Sequence, residues 1–600
     1  MLSLPQCTQN GAPKRETRME PSGLSQANRH DRAWGGTGVG TGPSSGSHAR
    51  ALAMALPLAV VLVLLVLPLL LVDMPPMLDY PNHLARVDVL RHFHSDPFLA
   101  QHYSASLTPV PNLLMEAVML PLADVLPLYV AGRLYVALAA VLTLVGVLML
   151  HRTLFGRWSL WPLCGALFIY NATLIGGFMS FSLGIAFLLI GVSLWLRLEG
   201  SRWQLPVGAL VALFLYFSHA IVLGSYALCL FAVEAARYVG PGRRPITPGN
   251  VGWDALRFAA LLAVPLLLFA VTVGTQLIHS DAAAVGARDQ SPLLVVKQIY
   301  WRLKKLTELR QWGYRLNDML APVLNYDRLL DTVTLLLVVG GIALAALTRR
   351  LRASLPMMVA VVLFALCFFI VPDPFFGTYF VSIRFWILAA LLLVAGTDVR
   401  FGGPRAAAVF AVGLLGLLAL RTGVLLSNWY GYQEDVADLR RAAERIEPGS
   451  HVLIVWAGEQ AGCCKTRDFL QTQPPWRSSL VSLPSLIHLP SLITIERRAF
   501  VPTLFSHPGK QPLTVTKPFR DRCMAIYEGV PVDVRLLDHP ELATQSDHVE
   551  PCPHYRDWRD KYDYLLLMFS NSFHQFGLEP PAGVEERYRG TVFDLWKVRR

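Results

Sequence analysis

Eleven apolar runs, separated by short loops that are alternately basic and uncharged, most limit what this chain can fold into. They lie at about 51–72, 129–150, 158–176, 180–197, 204–218, 221–238, 254–277, 329–347, 354–371, 380–397 and 405–427. Runs of this length can cross a hydrocarbon layer roughly 30 Å thick. The bilayer offers the backbone no hydrogen bonds, so each run must satisfy its own polar groups as a helix. The expectation is a polytopic α-helical membrane protein with about eleven transmembrane helices, and a composition 54% apolar agrees with it. The formal net charge of +11 is then read as topology and not as a nucleic-acid surface.

Placement of the arginines tests the count, because Lys and Arg near span ends collect on the cytoplasmic side. With the N-terminus inside, the inner connections hold Arg152 and Arg157, Arg197 and Arg202, Arg243 and Arg244, Arg349, Arg350 and Arg352, and Arg400 and Arg405. The outer turns at 171–179 and 218–220 hold none. The pair of runs within 204–238 is short for two crossings; were it one helix, every later loop would change sides. Residues 1–50, rich in Gly, Ser, Thr and Pro, are expected to be a disordered cytoplasmic tail. The run from Ala51 to Val72 reads as a signal anchor, not a cleaved signal peptide.

This topology places outside the segment 73–128, a loop at about 278–328, the turn 372–379 and everything after about 428. The first outer segment carries Asp79, His83, Arg86, Asp88, Arg91 and His92 around Leu84, Val87 and Leu90, the pattern of an amphipathic helix in the interface. The stretch from Pro111 to Pro127, broken by Glu116, Pro121 and Asp124, is expected to be interfacial or half-crossing. In the second loop Lys297, Arg302, Lys304, Lys305 and Arg310 flank an apolar stripe that would suit anionic head groups or phosphates, or pack as a solvated helix under the domain above.

Past residue 428 the pattern becomes that of a small α/β domain, 428–600, with a helix at 433–447 and strands at 451–456 and 562–567. Four cysteines lie in it: Cys463, Cys464, Cys523 and Cys552. Adjacent cysteines are too close for an ordinary disulfide, so Cys463 and Cys464 would bond to Cys523 and Cys552 if they pair. Free thiols and a metal site remain the other readings, the latter without C-x-x-C or His-x-x-x-His spacing.

No G-x-S-x-G elbow, P-loop, dinucleotide fingerprint or H-E-x-x-H accompanies these segments, so any chemistry belongs to the outer membrane face. An acid in the first outer loop, an interfacial helix after it and a C-terminal outer domain together resemble the GT-C superfamily of integral membrane glycosyltransferases. The stretches Asp79-Tyr80-Pro81-Asn82-His83-Leu84-Ala85-Arg86, Phe217-Ser218-His219-Ala220 and Phe500-Val501-Pro502-Thr503-Leu504-Phe505-Ser506-His507-Pro508-Gly509-Lys510 are similar to those of bacterial membrane proteins grouped with it. The resemblance covers residues 51–600 and implies transfer of a sugar from a polyprenyl-phosphate-linked donor to an extracytoplasmic glycan, lipid or protein, at a bacterial inner membrane.

In that reading Asp79 is the general base and His83 supports it. Arg86, Glu116, His219, Lys304, Lys305 and Arg384 are candidates for holding substrate. A hydroxyl needs a base to attack an anomeric carbon, and a departing lipid phosphate needs a cation. GT-C enzymes often carry paired acids in the first outer loop, whereas Asp79 stands without an acidic neighbour at that spacing; no cofactor is required, and a divalent metal ion stays open. Each residue has a plainer role too. Asp79 would serve as a helix cap, Arg384 would pair with Asp373, and His83 and His219 would be interfacial. A lipid or polysaccharide transporter and a non-catalytic envelope assembly protein are the other classes the pattern admits.

Overall fold

The computed structural model describes residues 45–105, 109–240, 242–279, 297, 300, 304, 318–373, 375, 378–456, 485–507, 511–524, 529, 531–542, 553–575 and 577–600. Apolar helical segments stand at all eleven expected positions, seven of them long enough to cross a membrane and four shorter. The short pair is two helices, Gln204–Ser218 and Ala220–Val239, that reverse at His219. Peripheral helices expose Leu266, Leu267, Leu336, Leu337 and Leu344 where a water-soluble protein would carry polar groups. An apolar outer surface of this kind is suited to lipid. Met179–Arg197, by contrast, is mostly buried at the centre of the bundle.

Two segments depart from simple spans. The run 158–176 is a 3-10 helix, Trp161–Phe168, followed by the single turn Ala172–Ile175. The break falls at Asn171, whose side-chain oxygen accepts from the backbone of Thr173 and Leu174. Irregular backbone at membrane depth is tolerated only inside protein, and residues 161–168 are all buried. The last run and the helix expected at 433–447 form one continuous helix, Pro404–Ala443. At about 1.5 Å per residue it is roughly 60 Å long, twice the hydrocarbon thickness. Its polar end continues beyond the apolar layer into the C-terminal domain.

That domain is built on a five-stranded sheet. The chain's strands are β1 (Tyr103–Ala105), β2 (Leu351–Ala353), β3 (Thr397–Val399), β4 (Val452–Trp456), β5 (Leu513–Val515), β6 (Val532–Asp533), β7 (Tyr564–Met568), β8 (Val584–Arg589) and β9 (Phe593–Val598). The large sheet runs in the order β6-β4-β7-β9-β8, parallel through its first three strands and antiparallel across the β8–β9 hairpin. The carboxylate of Asp438, at the end of the long helix, accepts from the backbone of Val592 and Phe593 and from the Tyr588 hydroxyl. These bonds fix the hairpin to the stalk.

The first outer helix differs from the amphipathic interface helix that its pattern suggests. Tyr80–His92 is buried at nine of its thirteen residues, between the membrane bundle and the C-terminal domain. Leu84 and Val87 join the bundle's core. Ala85 and Val89 join a second core with Leu453, Val455, Phe500 and Leu513. β1 pairs with β5, so the outer segment contributes a strand to the C-terminal side. Burial is tolerated because the helix's charges have partners: Arg86 pairs with Glu116, and Asp88 with Arg498.

Candidate active site

Asp79 precedes the buried helix and does not cap it, since its side chain accepts no backbone N–H there. Its position is set from below by the 171–179 turn: the Leu78 N–H donates to Ile175 O at 3.1 Å and the Asp79 N–H to Gly176 O at 3.2 Å. Gly177 lies directly beneath in a left-handed conformation, φ +76°. A β-carbon there would stand 2.7 Å from Asp79 N. From above, Asn82 clasps the C-terminal domain, donating to Thr503 O at 2.8 Å and accepting from the Phe505 N–H at 2.8 Å. Two of the three segments that carry the family resemblance, 79–86 and 500–510, thus meet at Asn82, one turn from Asp79.

The carboxylate retains 18% exposure, and His488 Nε2 stands 3.5 Å from its Oδ1. Burial pushes the Asp79 carboxyl up to about 7, against the opposing fields of Arg384 and Arg86. His83 follows one turn on, edge-to-face with Phe505 at 5.6 Å. Burial, with Arg86 and His488 nearby, holds His83 well below the ordinary imidazole range, so it is neutral. Its Nδ1 is buried without a partner among the described residues.

Arg384 enters from the end of helix Val381–Ala395. Its guanidinium carbon lies 4.4 Å from the Phe178 ring centre and 4.8 Å from that of Phe181. Nη1 contacts His219 Nε2 at 2.8 Å, and Nη2 donates to Tyr379 O at 3.3 Å. Yet His219 Nδ1 also accepts from the Ile221 N–H at 3.1 Å, and a neutral imidazole has one lone pair for two such donors. Among the described residues no carboxylate lies within ion-pair distance of Arg384; Asp373 instead accepts from Ser382 at 3.2 Å. Arg384 is 5% exposed and its Nε has no partner among the described residues. A cation so buried, without a bound counter-charge, is costly unless an anion joins it.

The remaining candidates divide. Arg86 and Glu116 are committed to each other, Nε to Oε1 at 2.8 Å, with Arg86 also donating to Gln511. They brace the helix Leu114–Val125 against the outer helix, and Arg86 reaches the site through its field on Asp79. Lys304 is exposed, and Lys305 lies outside the described residues. Among the described residues no group of three or more His, Cys, Asp or Glu converges as a metal site requires. Cys523 is disulfide-bonded, while Cys463, Cys464 and Cys552 lie outside the described residues.

Sequence reasoning missed His488, Phe178 and Phe181. A lone histidine in an apolar run, a phenylalanine in an outer turn and another at the start of the following helix carry no signal of their own; only the fold brings His488 to Asp79 and the two rings to Arg384.

The chain is a polytopic helical membrane protein with a charged, partly dehydrated site where the bundle meets its C-terminal domain. No protein-family model matches it, and no curated protein does. Among solved structures it is similar to ArnT from Cupriavidus metallidurans bound to undecaprenyl phosphate, at 12% identity and a TM-score of 0.39, with 91% of this chain and 98% of that chain covered. A TM-score of that size does not establish a common fold.

Proposed function

We propose that this protein is a membrane glycosyltransferase of GT-C type, moving a sugar from a polyprenyl-phosphate-linked donor to an extracytoplasmic acceptor. One observation carries the reading: a dehydrated, uncapped carboxylate and a buried cation lacking a bound counter-charge stand within each other's field at one end of the bundle. Asp79 takes the proton from the acceptor hydroxyl as its oxygen attacks the anomeric carbon. The bond from that carbon to the donor phosphate oxygen breaks, and the lipid phosphate leaves with the negative charge.

A base poised at about 7 is stronger than an ordinary carboxylate and still substantially ionised near neutrality. Arg384, clamped between two aromatic rings, meets the charge gathering on the phosphate without having to reorganise. His219 orients it, and His83 supports the acceptor side as a neutral ring. Lys304 and Lys305 would gather the anionic donor at the surface.

The test is transfer by purified protein in liposomes, with radiolabelled polyprenyl-phosphate sugars as donors. Asp79→Asn should abolish product while preserving insertion and without lowering the melting temperature, and Arg384→Gln should raise the KM for donor. Undiminished transfer by Asp79→Asn would sink the assignment. Loss of function confined to changes within the spans would favour a transporter instead.

A further inference from the structure

We propose that His488 is the positioning residue for the Asp79 carboxylate, its Nε2–H directed at Oδ1 so that the other oxygen is left to face the acceptor. The base step in this inference rests on the role proposed above for Asp79; the contact itself does not. His488 reaches the site from the C-terminal domain, in the turn before the 3-10 helix Leu489–Ser491. It is 5% exposed. Phe505 packs edge-to-face on the ring at 4.9 Å. Gly529, at φ +69°, leaves room for it on another side, since a β-carbon there would stand 2.9 Å from His488 Cε1 and 3.1 Å from Phe505. A ring confined on these sides, with Nε2 toward Asp79, has little freedom to turn away.

The tautomer follows from the surroundings. Nδ1 is buried with no partner among the described residues, so the arrangement that uses the N–H places it on Nε2, toward the carboxylate. Burial pushes this imidazole down to about 3, so it stays neutral and donates a hydrogen bond without taking up Asp79's proton. At 3.5 Å the contact is longer than a formed hydrogen bond, as catalytic contacts often are before substrate is bound. The other charged or titratable groups near Asp79 are Arg86 and His83 on its own helix and Arg384 on the span opposite. The Gly176–Gly177 turn beneath contributes backbone alone. Of this set only His488 contacts the carboxylate from the C-terminal domain, which gives that domain a direct part in the chemistry.

A donor to the ionised form lowers a carboxyl's pKa, and its removal raises it. The test follows Asp79 protonation in detergent-solubilised full-length protein by pH-difference infrared spectroscopy, with the band assigned by its loss in Asp79→Asn. His488→Phe keeps the ring and removes the donor; its midpoint should rise by about one pH unit. His488→Gln, whose amide reaches the Nε2 position, should return it to within a few tenths. In the transfer assay a one-unit rise predicts roughly tenfold less kcat/KM at pH 6 and almost no loss at pH 9. An unshifted or lowered midpoint in folded His488→Phe overturns the proposal. His488→Leu carries the same expectation should the phenylalanine variant not fold. A wild-type protein inactive with every lipid-linked donor would sink the glycosyltransferase reading and leave the titration to decide this inference alone.

Discussion

Gly177→Ala separates the placement of Asp79 from mere stability. The glycine sits at φ +76°, where an alanine costs about 1–2 kcal/mol. The new methyl would also stand 2.7 Å from Asp79 N, 2.8 Å from Tyr80 N and 3.1 Å from Asp79 Cα, all of them backbone that cannot swing aside. Restoring ordinary contact at about 3.4 Å moves the Asp79 backbone by roughly 0.7 Å. Misplacing a reacting group by about 1 Å can cost 10²-fold, so kcat/KM should fall roughly 10- to 100-fold. Gly156 is the control: it too is left-handed, at φ +69°, but nothing lies within 4 Å of its would-be β-carbon. Gly156→Ala should lower the melting temperature similarly and leave transfer untouched. The assays are thermal melting in detergent and sugar transfer in liposomes. Wild-type activity in Gly177→Ala, or equal loss in Gly156→Ala, would refute the reasoning.

Asp79 should oppose stability as it serves chemistry. Its folded pKa of about 7 stands above the ordinary 3.8, so the native state binds the extra proton between those values and loses stability as pH rises through them. Asp79→Asn should therefore melt higher than wild type at pH 8, with the gain gone below pH 4. Arg86→Leu strands Glu116, which is 2% exposed along its side chain; a loss of about 3–5 kcal/mol is expected, largely recovered when Glu116→Leu is added, as read by chemical denaturation. His102, its Nε2 2.7 Å from that of His451, is 2% exposed and lowered by burial to about 4. The unfolded chain then binds more protons between pH 6.5 and 4, so stability should drop by about 3 kcal/mol on acidification. His102→Phe should flatten that limb of the melting profile.

The apolar runs were legible because a bilayer imposes one requirement on every crossing segment, and nothing in the rest of the fold can relax it. Asp79 was legible for a related reason: an acid directly after the first span stands at the edge of that layer. Charge roles inside the outer segments were not. Arg86 and Glu116 looked like separate ligands for substrate, whereas the fold spends each on the other. Likewise, the change of pattern at about 428 looked like a domain border, yet Trp429 and Tyr432 are buried along one unbroken helix. Amphipathic pattern shows which face is apolar; it does not show that a second domain will cover the polar face and meet its charges with Arg498 and Gln511.

Sidedness offers the last test. The alternation of loops puts Asp79, Gly176, His219 and Arg384 at one end, where Asp79 bonds Gly176 and Arg384 contacts His219. At the other end Arg157 pairs with Asp398, Arg237 with Glu199, and the Arg400 N–H donates to Arg350 O at 3.0 Å. Those contacts place 204–218 and 220–239 as two helices running between opposite ends of the bundle, the arrangement that two separate crossings predict. Arg152, Arg197, Arg202, Arg243, Arg244, Arg349, Arg352 and Arg405 crowd the end away from Asp79, the end that charge bias predicts to be cytoplasmic. In intact cells a membrane-impermeant maleimide should label Ser95→Cys above the unsubstituted background and label Ser201→Cys only after permeabilisation; both serines are exposed. The reverse pattern would put the site in the cytoplasm and require a cytoplasmic acceptor. Labelling of both from outside would mean that the runs between them, 129–150, 158–176 and 180–197, do not carry the chain across a membrane, and the alternation of loops would have to be abandoned along with the proposed chemistry.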